Sequence, residues 1–245
     1  MAEGIGKTFM QQTRYEFMGP TDQQRGLPHP FPQLDYDESL PLIALPKAEA
    51  ITAPALDLRA AIEGRRTRRK YAPTPLSLDE LAFLLWSAQG VQGRQGPTTL
   101  RTVPSAGARH AFETVLLVNN ISGLEPGLYR YLALEHALLH LPHEAEINAQ
   151  ITRASMDQNQ VRTSAVTFIW MAVRYRMAYR YGERGYRYLH LDAGHVCQNL
   201  YLAAEAVGCG VCAIAAFDDA LLNEAIGADG EEQFAIYVAT VGKQP

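Results

Sequence analysis

The chain has 245 residues, 47% of them apolar, with 22 Lys and Arg against 26 Asp and Glu and a net charge of -4. That length admits one large domain or two small ones with an ample core, and the acidic balance excludes a general polyanion binder, which needs a basic face. Residues 1–10 hold Glu3 and Lys7 instead of the apolar core of a secretory signal, and the apolar run 165–173 falls short of the roughly 20 residues of a spanning helix, so neither export nor a membrane partner is expected. Three cysteines without an export signal fit a reducing cytoplasm.

Residues 1–53 differ from the rest. Pro20, Pro28, Pro30, Pro32, Pro41 and Pro46 punctuate a stretch with little helical or alternating pattern. Proline fixes φ and removes a donor, so residues 26–46 are expected to run extended over a surface. Phe31, Leu34, Tyr36, Leu40, Leu42, Ile43 and Leu45 supply anchors that a solvated tail would not need. The reading is a docked, Pro-rich N-terminal arm over 1–53 and a single domain over 54–245.

Pro54 is expected to open a helix with Leu56, Leu58, Ala61 and Ile62 on its apolar side. It runs into Arg65-Arg66-Thr67-Arg68-Arg69-Lys70-Tyr71, five cations in six positions that are comfortable only in water or beside an anion. Pro73 and Pro75 break the chain. Ser77 and Glu80 then form a capping box for a second helix carrying Leu81, Leu84, Leu85 and Ala88, which ends near Gly90. Residues 93–97 read as a loop, and Pro104-Ser105-Ala106-Gly107-Ala108 as a tight turn of small residues that lets backbone approach a flat ligand.

Strands are expected at 113–118, 128–132 and 137–141 as an antiparallel meander, a helix within 143–156, and a buried strand at 166–173. Residues 174–187 mix five arginines with four tyrosines. This suits a nucleic-acid surface, a ligand-pocket wall or an ordinary solvated junction. The longest periodic helix is 186–207, apolar on more than one side and fit for a core or dimer position. A strand at 211–215, a helix at 218–226 and a strand at 234–241 complete an α+β order.

Among chemistry-bearing patterns, Cys209-Gly210-Val211-Cys212 has redox spacing but leaves a helix and enters a strand, the reverse of a thioredoxin-like site, so the cysteines read as structural. No metal site is expected, since Cys197 completes none of the usual ligand spacings. Asp192, His195 and Asn199 share one helical face and read as a paired polar network or as catalytic groups. Dinucleotide and P-loop glycine motifs are absent. On composition alone the basic run is a solvated loop, an import-like patch or an anion site.

Taken in order, these stretches resemble the nitroreductase superfamily of flavin enzymes and, within it, the SagB-type branch. Residues 65–71 are similar to the opening R-R-S-x-R-x-[FY] signature, with Thr67 for serine, and 104–109 to the branch's P-S-A-G-A-R loop. Tyr186-Arg187-Tyr188, Leu191-Asp192-Ala193-Gly194-His195 and Gln198-Asn199-Leu200 resemble its long helix, and 210–219, 222–224 and 241–242 its closing elements.

The resemblance implies a nitroreductase-like α+β fold: a mixed, mainly antiparallel central sheet flanked by helices, with the long helix at the interface of a homodimer that holds two FMN molecules. It implies that Arg65 reaches the phosphate with Arg66 beside it, that Thr67 supports phosphate and ribityl chain, and that Arg69 faces the pyrimidine. Pro104, Ser105, Ala106 and Gly107 would pack on the isoalloxazine from the partner subunit. The strand end Ala213, Ile214, Ala215 and Ala216 would lie beside the ring, the last two aiming backbone N–H groups at N5 and O4, and Lys243 would assist the phosphate.

The implied activity is two-electron hydride chemistry at flavin N5 on a small-molecule or peptide substrate, with NAD(P)H as candidate electron donor. SagB-type azoline oxidases use a lysine-tyrosine pair for proton removal, and this chain has Arg180-Tyr181 there. Arginine stays protonated, so Tyr181 would have to serve as base. The competing readings are an NAD(P)H-dependent nitro or quinone-type reductase and, in another class, a non-catalytic flavin-fold binding or interaction protein.

Overall fold

A computed structural model describes residues 4–47, 50, 51 and 53–245. Its centre is β4 (Phe112–Val118) paired with β7 (Val166–Val173), two strands whose side chains are buried on both faces, Val173 alone being partly open. That is why both read as apolar runs and not as alternating ones. They belong to a seven-stranded sheet of order β1-β6-β5-β4-β7-β9-β8, completed by β1 (Leu42–Ala44), β5 (Gly127–Leu132), β6 (Ala137–His140), β8 (Cys209–Ile214) and β9 (Gln233–Lys243). All six strand pairings are antiparallel. The parallel component is two isolated bridges, Thr67 to Val211 and Leu76 to Ile121.

Helices cover both faces. α3 (Leu78–Gln89) and α7 (Gly185–Ala206) pack on the face that carries Phe112, Leu116, Phe168 and Trp170. α4 (Ile147–Ala154), α5 (Asn159–Thr163) and α8 (Asp219–Ile226) cover the other, against Val115, Leu117, Ile169 and Met171. The capping box of α3 forms as expected: Ser77 N–H donates to Glu80 Oε2 at 2.9 Å, and Glu80 N–H to Ser77 Oγ at 3.2 Å. α7 keeps its expected length to within one residue at each end. Among the described residues no helix is long and apolar enough to cross a membrane.

Three local expectations need correction. Asp57, not Pro54, starts α2 (Leu58–Gly64), because its carboxylate accepts the Ala60 N–H at 3.1 Å and caps the first turn. Leu56, Leu58 and Ile62 then stand exposed, and Ala61 alone of that helix is buried. The stretch read as a loop at 93–97 lies within a two-stranded ribbon, β2 (Val91–Gln95) and β3 (Thr98–Arg101), turning at Gly96 with φ +59°.

The arm is also more structured than its prolines suggest, with α1 (Ile5–Gln12) near its start and β1 as an edge strand paired with β6. Met1–Glu3 at its tip and Ala48, Glu49 and Thr52 near its end lie outside the described residues. Its extended part is held by buried guanidinium groups. Arg101 donates to the Pro32 carbonyl, Arg176 to Phe31, and Arg130 to both Leu34 and Asp35. The Leu34 N–H is taken by Glu113 Oε1 at 2.7 Å, and the same carboxylate pairs with Arg176 at 2.6 Å, both side chains being 3% exposed.

Candidate functional site

The basic run leaves α2 and crosses the outer edge of β8. Arg68 N–H donates to the Val211 carbonyl at 2.9 Å, Ala72 N–H to that of Lys243, and Tyr71 Oη reaches Thr240. Two glycines allow this contact: a Cβ on Gly210 would meet Arg68 Cβ at 2.6 Å, and one on Gly242 would meet the Tyr71 ring at the same distance.

One side chain ties three of the expected cofactor residues together. Tyr201, on the buried side of α7, accepts the Ala213 N–H at 3.0 Å and lies 3.3 Å from Thr67 Oγ1, while the Arg65 guanidinium sits over its ring at 5.3 Å. Tyr201 Oη and Thr67 Oγ1 are thus in hydrogen-bond contact, either hydroxyl being able to donate, and the phenol oxygen also takes the Ala213 N–H. Tyr201 was legible only as part of the apolar widening of α7, since its hydroxyl partners stand far away in sequence.

The cations here are not neutralised. Among the described residues no carboxylate lies within ion-pair distance of Arg65, Arg66, Arg68, Arg69 or Lys70. Arg66 turns back to the carbonyls of Glu63 and Arg65. Arg69 lies beside Cys212: burial pushes that thiol's pKa up, and the guanidinium pulls against it. Ala215 and Ala216 are exposed just beyond the end of β8. Lys243, expected at a phosphate, is engaged inside the fold instead. Its ammonium pairs with Glu80 and donates to the Val207 carbonyl at 2.8 Å.

The second group of expected residues gathers at the other end of α7. The Asp192 carboxylate accepts from Ser105 Oγ at 2.6 Å and from Ala106 N–H at 3.2 Å, so it clamps the 104–107 turn. Burial raises its pKa, and the two donors and His195, 4.0 Å away, partly reverse this. Asn199 holds the approach to the turn through the Ser87 and Thr102 carbonyls. The Asp192 and Asn199 network therefore positions one loop, while His195 stands open to solvent.

Gly107, at φ +56°, carries no side chain where a Cβ would come within 2.6 Å of Tyr181 Oη and 2.9 Å of Arg180 Cδ. This brings Arg180 and Tyr181 against the turn. Tyr181 packs edge-on to Tyr188 at 4.6 Å, with the Arg180 guanidinium 5.7 Å from the Tyr181 ring.

No hydrogen bond, ion pair or ring contact among the described residues joins this group to the basic run. Tyr201 and Asp192 are nine residues apart on α7, about 14 Å along its axis. Of the other arginines in 174–187, Arg174 pairs with Glu232, Arg176 with Glu113, Arg184 donates to the Thr13 carbonyl, and Arg187 to Thr13 Oγ1. Each of these four cations is engaged by a group of the protein itself.

The three cysteines are free and buried, with Cys197 and Cys209 pushed up to about 12 by burial. Such thiols stay protonated and are poor nucleophiles, as the structural reading expects.

Comparison with known proteins gives this arrangement a family. The model of the Nitroreductase family matches residues 62–243, from α2 through β9. A Methanocaldococcus jannaschii protein, MJ1384, is 35% identical over 182 residues, covering 74% of this chain and 87% of its own length. The trifolitoxin-processing protein TfxB of Rhizobium leguminosarum bv. trifolii is 31% identical over 145 residues, which is 56% of this chain and 39% of TfxB. A solved structure from Anabaena variabilis superposes with a TM-score of 0.68 at 26% identity, covering 87% of this chain and 45% of that one. Both MJ1384 and the Anabaena protein carry the nitroreductase name. With the sheet order, the clamped turn and the family match all running over the same residues, the chain belongs to the nitroreductase family of oxidoreductases.

Proposed function

We propose that the chain is an FMN-dependent oxidoreductase of the SagB-type branch. The observation that carries this is the cluster of uncompensated cations at β8. Like charges repel unless solvated or paired with an anion, and here they flank the Thr67 hydroxyl, held against Tyr201. A phosphate monoester fits that donor set, since guanidinium groups bind it bidentately and a hydroxyl adds a directed bond. Arg65 and Thr67 would hold the FMN phosphate, and Arg69, beside the strand end, would set a positive charge near the ring. Bound FMN supplies a two-electron acceptor and donor at N5.

The Arg180, Tyr181 and Gly107 group would face the ring of a second copy, which accounts for its separation from the basic run. Support for a homodimer comes from the surface between the two groups. Leu191 on α7 is 59% exposed and Leu58 on α2 64% exposed, and Gly194 lies open between neighbouring turns. Large apolar side chains left exposed on two packed helices suit a contact face between copies. Within the site Tyr181 would accept or donate the substrate proton, Arg180 would bind a carbonyl or carboxylate of the substrate, and the 104–107 turn would exclude water.

Arg180 favours a second reading, reduction of a nitro or quinone-type acceptor by NAD(P)H, because a guanidinium cannot take up a proton while it can orient an anionic donor. Likeness to TfxB supports action on a peptide; likeness to MJ1384 supports the reductase. Anaerobic mixing of the purified yellow protein with NADH and with NADPH separates the two: rapid bleaching selects the reductase, and a flavin that stays oxidised selects substrate oxidation. Arg65→Ala and Arg69→Ala should each weaken FMN binding by about 1.5 to 3 kcal/mol. Colourless protein that cannot be reconstituted with FMN, or unchanged affinity in both variants, overturns the reading.

A further inference from the structure

A large cavity lies away from this site, on the other face of the sheet. It measures about 850 Å³, within the range of small-molecule sites. Its floor is Val115, Leu128 and Met171 of the sheet, and its walls come from Ile147 of α4 and Leu221 of α8. Of the polar residues in the lining, His143, Glu144, Gln150, Arg153, Glu224 and Gln233 are exposed or partly exposed, and Arg130 is the buried one. Arg130 stands directly across from Val115 in the β4–β5 register, at a position where alternation along β5 puts a core residue.

Arg130 is 8% exposed. Its Nη2 donates to the Leu34 and Asp35 carbonyls, its Nε–H has no partner, and among the described residues no carboxylate is within ion-pair distance. A buried cation without a counter-ion is costly, and an idle N–H adds to the cost. The other charged groups of the lining, Glu144, Glu224 and Arg153, stand exposed at the mouth, and Arg130 is the charged group buried inside.

We propose that this cavity is a second binding site, for a small amphipathic anion whose carboxylate or phosphate head pairs with Arg130 and whose apolar tail lies on Val115, Leu128 and Met171. The head supplies the missing counter-ion to the guanidinium, and the tail displaces water from the apolar part of the lining. The site is independent of the flavin reading, because none of its lining residues belongs to the basic run or to the 104–107 turn.

Isothermal titration of the full-length protein with octanoate, octyl phosphate and octanol tests it. At least one anion should bind one per chain about tenfold or more tighter than octanol, the effect of one charge-assisted hydrogen bond at roughly 1.4 kcal/mol per decade. The better of the two heads identifies the ligand class. Arg130→Met should erase the preference for the anion, and Leu221→Trp, at the mouth, should weaken all three probes. Should Arg130→Met fail to fold, Leu221→Trp decides alone. Octanol binding as tightly as the anions, no binding of either anion at millimolar concentration, or wild-type binding in Leu221→Trp overturns the proposal. Anion binding lost in Arg65→Ala and kept in Arg130→Met overturns it too, by placing the anion at the basic run.

Discussion

Replacing Tyr201 by phenylalanine tests whether the phenol organises the cofactor side of the site. The ring stays, 8% exposed and under the Arg65 guanidinium, while the acceptor of the Ala213 N–H and the hydroxyl partner of Thr67 are both removed. A buried N–H left unpaired costs about 1 to 3 kcal/mol, and because Ala213 is only partly buried the low end applies, about 1 kcal/mol of stability by urea unfolding. On the flavin side the loss is orientation of the Thr67 hydroxyl, so FMN affinity read by flavin fluorescence should fall about fivefold, roughly 1 kcal/mol. Thr67→Val breaks the same chain one link further on. The double variant should therefore bind FMN about as well as either single one, a coupling of roughly 1 kcal/mol in the cycle. Additive losses, or a Tyr201→Phe protein equal to wild type in both measurements, would refute the relay.

Three further outcomes follow from the same geometry. Glu113→Gln should cost about 3 to 5 kcal/mol in urea unfolding, because it strands the buried Arg176 and loosens the Leu34 N–H; faster proteolysis within 27–35 should accompany it, and an unchanged midpoint would contradict the pairing. Gly107→Ala puts a methyl within 2.6 Å of Tyr181 Oη at a left-handed backbone position, so it should lower turnover, and normal turnover would show that the turn and the pair do not meet. Asp192 has a folded pKa raised by burial, so its stabilising contribution is complete below the unfolded value and is lost as pH rises through the folded one. The stability deficit of Asp192→Asn relative to wild type should thus be larger near about pH 4 than near about pH 8, and a deficit that grows with pH would refute the assignment.

Much of this arrangement was legible because it is written in local pattern. Capping of α3 by Ser77 and Glu80, the unbroken apolar run of β7 and the long period of α7 each depend on neighbours in sequence, and each stands where the pattern puts it. The ribbon of β2 and β3 was missed because an exposed two-stranded hairpin needs no apolar alternation, and Gly93, Arg94 and Gln95 read as loop. α1 buries none of its side chains, so no periodic stripe announced it.

The site was legible as motifs but not as contacts. Order along the chain picked out Arg65, Thr67 and the 104–107 turn, whereas Tyr201 and the capture of Lys243 by Glu80 depend on residues that meet only in three dimensions. Buried arginines were the hardest to foresee. Arg101, Arg130 and Arg176 carry charge and so read as surface, yet each satisfies carbonyls of the arm.

That grip has a consequence for how this chain can change. The guanidinium groups take hold of main-chain oxygens from Phe31 to Asp35, and every residue type offers the same oxygen. Apart from Gln33, whose buried amide bonds Glu135 and the Leu134 N–H, side chains along this track can drift with little effect on attachment, whereas inserting or deleting one residue moves each carbonyl away from its donor. Length between Phe31 and Asp35 is therefore under tighter constraint than identity. The cost of a frame error falls on three buried cations at once, one of which, Arg130, also faces the second cavity.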